Sequence, residues 1–388
     1  MDTLPDELIY TILSYATGFE KYHEKDAIVA YYQRRSRESY VFEIPCERHR
    51  IVRVCKRWYT IGLEFLYSSV ILRDPIGLLS LKCSFLRSPR LAALVQAFSI
   101  FSENTRLYSD PDLRTVLDAC SHLLVFSSAR MTVLPIAQRK RVLYMSIRET
   151  SSIRDTFDQH ARVEDASQLN LFTELQTLHL TRESRSLHWR RTLRDRISLP
   201  HLNTLILEFD DPHSQSYESI CKWSLPSLAV LQIRNVMSYS LCAIMYNFQS
   251  TLVIVDATVF TNHAVYAWTL SRLTMPYLRH FSVSGGLVDF GSLFGSVNAL
   301  ETLEFGLDWV HGPGDHKGWA IIRTFWRIFV LDWVTRARGE GGLLALREAR
   351  FRIEYPDEST TILLAEIGGV FRQCLQDRGI EVLDGPPR

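Results

Sequence analysis

The chain lacks most of the features that announce a secreted protein or an enzyme. Its seven cysteines are odd in number, widely spaced and form no C-x-x-C pair. That argues against a disulfide framework or a zinc module and fits a reducing compartment. The opening "MDTLPDE" carries acids where a signal peptide needs bases, so an intracellular location, cytoplasm or nucleus, is expected. Charge of one sign is missing too. With 44 basic and 43 acidic residues the net charge is +1, and no global field draws the chain to nucleic acid or membrane. The most apolar stretch, "GWAIIRTFWRIFVLDWV" from Gly318 to Val334, is interrupted by Arg323, Arg327 and Asp332. It falls short of the roughly 20 apolar residues of a membrane span and is read as a buried or half-buried helix at about 318–335.

Signatures of catalysis are also missing. No G-x-x-x-x-G-K-[ST], G-x-G-x-x-G or G-x-S-x-G occurs, so phosphate loop, dinucleotide fingerprint and nucleophile elbow are all absent. "FGSLFGS" (Phe290 to Ser296) has the wrong order for an elbow, and "GPGDHKG" lacks the strand–loop–helix context of a phosphate loop. An enzyme built on Asp315 and His316 of that loop is the weakest reading. None of the twelve histidines sits in a metal-ligand pattern. "TRESRSLHWRRTLRDR" (Thr181 to Arg196) has six arginines and two acids; a solvated loop is expected there. Cys55 has cationic neighbours but lies on an apolar stripe, which favours packing over reactivity. No catalysis, cofactor, metal, nucleic acid or small-molecule ligand is expected.

What is present is a repeat. "SLPHLNTLIL" from Ser198, "SLPSLAVLQI" from Ser224 and "TMPYLRHFSV" from Thr274 align on a kernel L-x-x-L-x-L. The kernel begins at Leu175, Leu202, Leu228, Leu252, Leu278 and Leu300, at steps of 27, 26, 24, 26 and 22 residues. Weaker copies begin at Val95, Leu123, Val142 and Leu346. Positions 4 and 6 fall on one face of a strand, because side chains alternate. Three apolar residues per turn cannot be hidden within one repeat, so neighbours must stack, with parallel strands along one side. This period resembles that of leucine-rich repeats, although the usual Asn or Cys at position 9 is missing: Glu183, Asp210, Val236, Gly286 and Asp308 stand there. Irregular loops and uneven curvature are expected.

The front of the chain differs. In "LPDELIYTILSYA", Pro5 opens a helix and Asp6 and Glu7 complement its dipole. Leu8, Ile9, Ile12, Leu13 and Ala16 form an apolar stripe. In "RIVRVCKRWYTIGLEFLYSSVIL", Ile51, Val54, Cys55, Trp58, Ile61 and Phe65 form another. Two such helices make a poor core alone and need a surface to cover them.

The pairing of LPDEL with VCKRW resembles an F-box, and the run ending "LYSSVIL" resembles the exit into the degenerate leucine-rich repeats of fungal F-box proteins. The family's short connection is here a 31-residue insertion, 17–47. The resemblance implies an α+β repeat architecture: a helical F-box at 1–72, a connector at 73–94, an irregular leucine-rich-repeat solenoid (an α/β horseshoe) at 95–355, and a C-terminal cap and tail at 356–388. It implies docking on a Skp-type adaptor, and through it a cullin, in a ubiquitin ligase. Leu4, Pro5, Leu8, Ile12 and Leu13 would face the adaptor, and Val54, Cys55 and Trp58 would complete that surface or lock the helices together. The concave strand face would hold a target protein through Gln176, Thr177, His179, Asn203, Thr204, Ile206, Gln232, Arg279, His280, Glu301, Thr302 and Glu304, with His179 and His280 solvent-facing. The alternative is a leucine-rich-repeat scaffold whose F-box-like segment is vestigial or packed on itself.

Overall fold

A computed structural model describes residues 4–17, 54–100, 108–128, 134–149, 166–182, 197–209, 216–260, 274–285, 299–307, 347–353 and 381–384. The insertion after Thr17, the apolar segment 318–335 and the "GPGDHKG" loop lie outside these residues. The chain divides into two compact units, Met1–Leu202 and Asn203–Arg388.

The first unit begins with helices α1 (Asp6–Thr17) and α2 (Lys56–Tyr67). The carbonyl of Pro5 accepts the first helical bonds, from the N–H groups of Leu8 and Ile9. Cys55 caps α2, its Sγ accepting from the Trp58 N–H at 3.5 Å. Strand β1 (Ser69–Leu72) follows, then α3 (Pro75–Arg87), α4 (Pro89–Ala93), β2 (Ala97–Ile100), α5 (Asp110–Ala119), β3 (Val125–Ser128), α6 (Ile136–Arg139), β4 (Tyr144–Glu149), a 3-10 turn (Ala166–Leu171) and β5 (Thr177–Arg182). Helix α3 has Pro75 in its first turn, and the Asp74 carboxylate accepts from the Gly77 N–H at 2.7 Å. That cap satisfies a backbone donor the helix itself cannot.

Strands β1 to β5 form a parallel ladder in chain order. Val70, Phe98, Phe126, Met145 and Leu178 fall in register as one row across it, and the last four are fully buried. Along each strand the next side chain points to the other face. Ala97, Val125 and Tyr144 therefore turn away from that row, and they pack with Leu143 against Ile9 and Leu13 of α1 and Phe65 of α2. The front helices are thus built onto the opposite face of the sheet.

The second unit repeats the plan: β6 (Thr204–Phe209), α7 (Ser216–Ile220), β7 (Val230–Met237), α8 (Ser238–Asn247), β8 (Ile254–Phe260), β9 (His280–Gly285), β10 (Thr302–Leu307), β11 (Glu348–Ile353) and β12 (Glu381–Asp384). Again every pairing is parallel and between sequence neighbours. The kernel positions behave as the alternation requires. The first-position Leu175, Leu202, Leu228, Leu252, Leu278 and Leu300 and the fourth-position Leu178, Leu205, Leu231, Val255, Phe281 and Leu303 are all fully buried. These are open sheets of the α/β class. Among the described residues, pairing includes β1 in the first unit and β12 in the second, at residues read from the sequence as helical exit and tail.

Adjacent repeats are tied at the strand starts by shared carbonyls. The Asn203 carbonyl accepts from the Ala229 and Val230 N–H groups, that of Ala229 from Val253 and Ile254, and that of Val253 from Arg279 and His280. Two side-chain amides make similar ties: Asn170 accepts from the Ser198 N–H at 2.7 Å and Gln249 from the Thr274 N–H at 3.2 Å. Position 9 carries no asparagine, and these two amides bond across repeats from other positions.

One irregularity interrupts the second ladder. Register shifts between Ile233 and Val236 of β7, where Asn235 has φ of 55°, a left-handed conformation that asparagine tolerates better than most residues. Its amide donates to the Phe209 carbonyl at 3.1 Å. The Tyr217 hydroxyl donates to the Arg234 carbonyl at 3.2 Å, and the Tyr217 ring packs on Phe209 with centroids 5.0 Å apart. A bulge held from two sides is a defined feature of the strand.

Candidate functional site

Helices α1 and α2 meet although 38 residues separate Thr17 from Lys56. The Arg57 guanidinium donates to the Asp6 carboxylate through Nε at 2.7 Å, and the Tyr10 and Phe65 rings lie 4.9 Å apart. Asp6 and Arg57 each stand at the start of a helix, so the two helix starts lie side by side. Burial, with the charge of Glu64 second, raises the Tyr10 phenol above its ordinary range.

The pair has two apolar faces. Ile9 and Leu13, one helical turn apart, are 0% exposed and point into the sheet, with Leu4, Tyr10, Trp58 and Ile61 packed around them. Leu8 and Ile12 precede them by one residue each, which rotates them by about 100°; they are 50% and 42% exposed. Pro5, Val54, Cys55 and Tyr59 are exposed as well. The eight residues assigned to adaptor docking therefore separate. Pro5, Leu8, Ile12, Val54 and Cys55 face outward, Leu4 and Trp58 are half-buried against the chain's own core, and Leu13 is wholly inside. The expectation that Leu13 faces a partner is corrected: the i, i+4 pair with Ile9 fills the space over Ala97 and Val125. Tyr59, one turn beyond Cys55, is a member of the outward face that the stripe rule missed. Its own sequence signal is slight, since Trp58 beside it is the larger aromatic. The Trp58 indole N–H is buried without a hydrogen-bond partner among the described residues.

The strand residues expected to hold a target are less open than their alternation implied. His179 is buried, with Nδ1 3.4 Å from the Tyr144 hydroxyl and Nε2 3.1 Å from the Thr181 hydroxyl. Thr177, Thr204, Ile206 and Gln232 are buried too. Ile206 and Gln232 are paired across neighbouring strands, and in-register side chains on strands about 4.8 Å apart cover one another. Thr177, His179, Thr204, Ile206 and Gln232 are therefore corrected from exposed contact residues to packed ones. Asn203 and Arg279 are exposed, while Gln176, His280, Glu301, Thr302 and Glu304 are half-buried.

The bulge in β7 adds a polar chain that the sequence did not reveal. Arg234 donates to the Thr258 hydroxyl at 2.9 Å and to the Asp256 carboxylate at 3.2 Å, and Thr258 lies 3.0 Å from the Ser284 hydroxyl. Three strands are linked by these side chains. Among the described residues no group of three His, Cys, Asp or Glu is placed to hold a metal ion, and no helix is long and apolar enough to cross a membrane. No protein-family model matches the chain, and no curated protein matches it.

Proposed function

We propose that the chain is the non-catalytic substrate-recognition subunit of a cullin–RING (SCF-type) ubiquitin ligase. Its helical front would be an F-box that docks on a Skp-type adaptor, and its repeats, read as an irregular leucine-rich-repeat solenoid, would hold a target protein. It would supply proximity and orientation to an associated ligase. The observation that carries this reading is the double-faced helix pair. One apolar set is buried on the chain's own sheet, while Pro5, Leu8 and Ile12 of the first segment and Val54, Cys55 and Tyr59 of the second are exposed. Exposed apolar side chains beside a buried core are candidates for an interaction surface, and a few aliphatic and aromatic anchors usually dominate such surfaces.

One observation favours a second reading. Leu13, Leu4 and Trp58 pack on the chain's own core, as expected if the segment is a vestigial F-box packed on itself within a repeat scaffold. Co-purification with a Skp-type adaptor separates the two. Binding by the wild type, abolished by Leu8→Asp, supports the ligase reading. Retained binding after deletion of residues 19–45 would make the insertion a passenger. A folded wild type that does not bind favours the scaffold.

A further inference from the structure

Tyr144 has two ends in different surroundings. Its ring belongs to the buried core that holds Ile9 and Leu13 of α1 and Phe65 of α2. A phenylalanine would fill that space equally well. The hydroxyl that tyrosine adds lies 3.4 Å from Nδ1 of His179. The other described residues that the sheet side brings to this core, Ala97, Leu124, Val125 and Leu143, are all aliphatic. Tyr144 is the member of that set through which a side-chain hydrogen bond can reach the helix pair. An aromatic with an apolar body and a bonded polar tip is suited to joining two environments.

His179 continues the line. It stands one strand over, in register with Ser146, two residues beyond Tyr144, and it is buried. Its Nε2 lies 3.1 Å from the Thr181 hydroxyl, and Thr181 is half-buried, at the accessible end. In a neutral imidazole one ring nitrogen donates and the other accepts, while a hydroxyl can do either. Both contacts can therefore be made at once, whichever tautomer is present. Thr181, His179 and Tyr144 form a polar line from the strand face to the underside of α1 and α2. Buried polar groups are expensive to leave without partners, so the line resists being opened from either end.

We propose that His179 is a positioning residue for the helix pair. Through the Tyr144 hydroxyl it holds the ring that supports Ile9 and Leu13, and so sets how firmly α1 is seated on the sheet. The two-state element is α1 itself, seated or lifted, and His179 biases that equilibrium. A change in the hydrogen bonding of His179 on the strand face then alters the seating of α1, and by linkage anything that keeps α1 seated tightens the line. The strand face is where a target is expected and the helix pair where an adaptor is expected. That functional meaning of the link rests on the ligase reading; the positioning does not.

Amide hydrogen exchange across Ile9 to Ser14, on the full chain without adaptor, tests the link. Tyr144→Phe removes one oxygen and keeps the ring, so the fold should persist. Protection of α1 should fall about threefold to tenfold, the range for one neutral hydrogen bond. His179→Leu should lower it at least as much. The double variant identifies the route. If His179 acts through the Tyr144 hydroxyl, adding His179→Leu to Tyr144→Phe should lower protection by less than about twofold more. A side chain that only fills space would have the same effect in both backgrounds. Protection of Leu231 to Ile233 in β7 should match wild type in every variant, which separates lifting of α1 from general destabilisation. Unchanged protection of α1 in Tyr144→Phe, or an equal effect of His179→Leu in the two backgrounds, overturns the proposal. A chain that shows the coupling yet binds no Skp-type adaptor keeps this inference and refutes the ligase reading.

Discussion

Leu13 and Leu8 belong to the same turn and a half of α1, yet they should respond to truncation in opposite ways. Leu13 is 0% exposed and Leu8 is 50% exposed. Removing a fully buried leucine side chain forfeits roughly 1.5–3 kcal/mol of transfer free energy, and the cavity left behind adds about 1 kcal/mol more when the site collapses only in part. Leu13→Ala should therefore destabilise the packing of α1 by about 3 kcal/mol. Leu8→Ala, which leaves no cavity, should cost about 0.5 kcal/mol. About 3 kcal/mol corresponds to roughly a hundredfold change in an opening equilibrium. Amide hydrogen exchange resolved to α1 reads that equilibrium directly. Protection across Ile9 to Ser14 should fall about a hundredfold in Leu13→Ala and less than about threefold in Leu8→Ala. Adaptor binding, if the proposed function holds, should show the reverse order, with Leu8→Ala the more damaging. Equal loss of protection in the two variants would refute the packing of α1 onto Ala97, Val125 and Tyr144.

Other perturbations separate further contacts. Asn235 sits at φ of 55° with its amide bonded to Phe209, so Asn235→Val should cost about 2 kcal/mol more than Asn235→Gly in urea unfolding; equal costs would mean the bulge relaxes. The Arg57–Asp6 pair is partly exposed, so Arg57→Met should cost less than about 1 kcal/mol, a difference that vanishes in high salt. Burial pushes the Cys120 thiol up to about 12 and that of Cys242 also upward. Both thiols are protonated at neutral pH and should escape iodoacetamide in the native protein, while the exposed Cys55 and Cys83 react. Modification of Cys120 at pH 7.5 without denaturant would contradict its packing.

Much of the fold was legible because the repeat kernel encodes burial twice over. Leu202 turns the chain in, and Leu205 and Leu207 then face the same way by alternation; all three are fully buried. The same reasoning located the weaker strands at Val125, Tyr144 and Glu348. Alternation names the two faces of a strand but not what lies over the second one. His179, Ile206 and Gln232 were assigned to solvent on that ground and are packed. In α1 the difficulty was different. Leu8, Ile9, Ile12 and Leu13 are all apolar, so the stripe is wide enough for two faces, and composition alone does not say which pair the fold claims. The bulge at Asn235 left no mark, because asparagine there could equally have been an ordinary exposed strand residue.

Among the described residues of each unit, every strand pairs with its neighbours in sequence. That order has a genetic consequence. Duplicating or deleting one strand with its return segment adds or removes a layer without rerouting any other part of the chain, and the new layer meets the same parallel edge as the old. Length within each unit is therefore a quantity that recombination can adjust in whole steps. The register rows of Phe98 and Leu231 would simply gain or lose one member. The bulge in β7 escapes this freedom, because its bonds from Asn235 to Phe209 and from Tyr217 to Arg234 fix which strand must precede it. Related chains of different length should thus vary in layer number elsewhere and keep β6, α7 and β7 as an indivisible block.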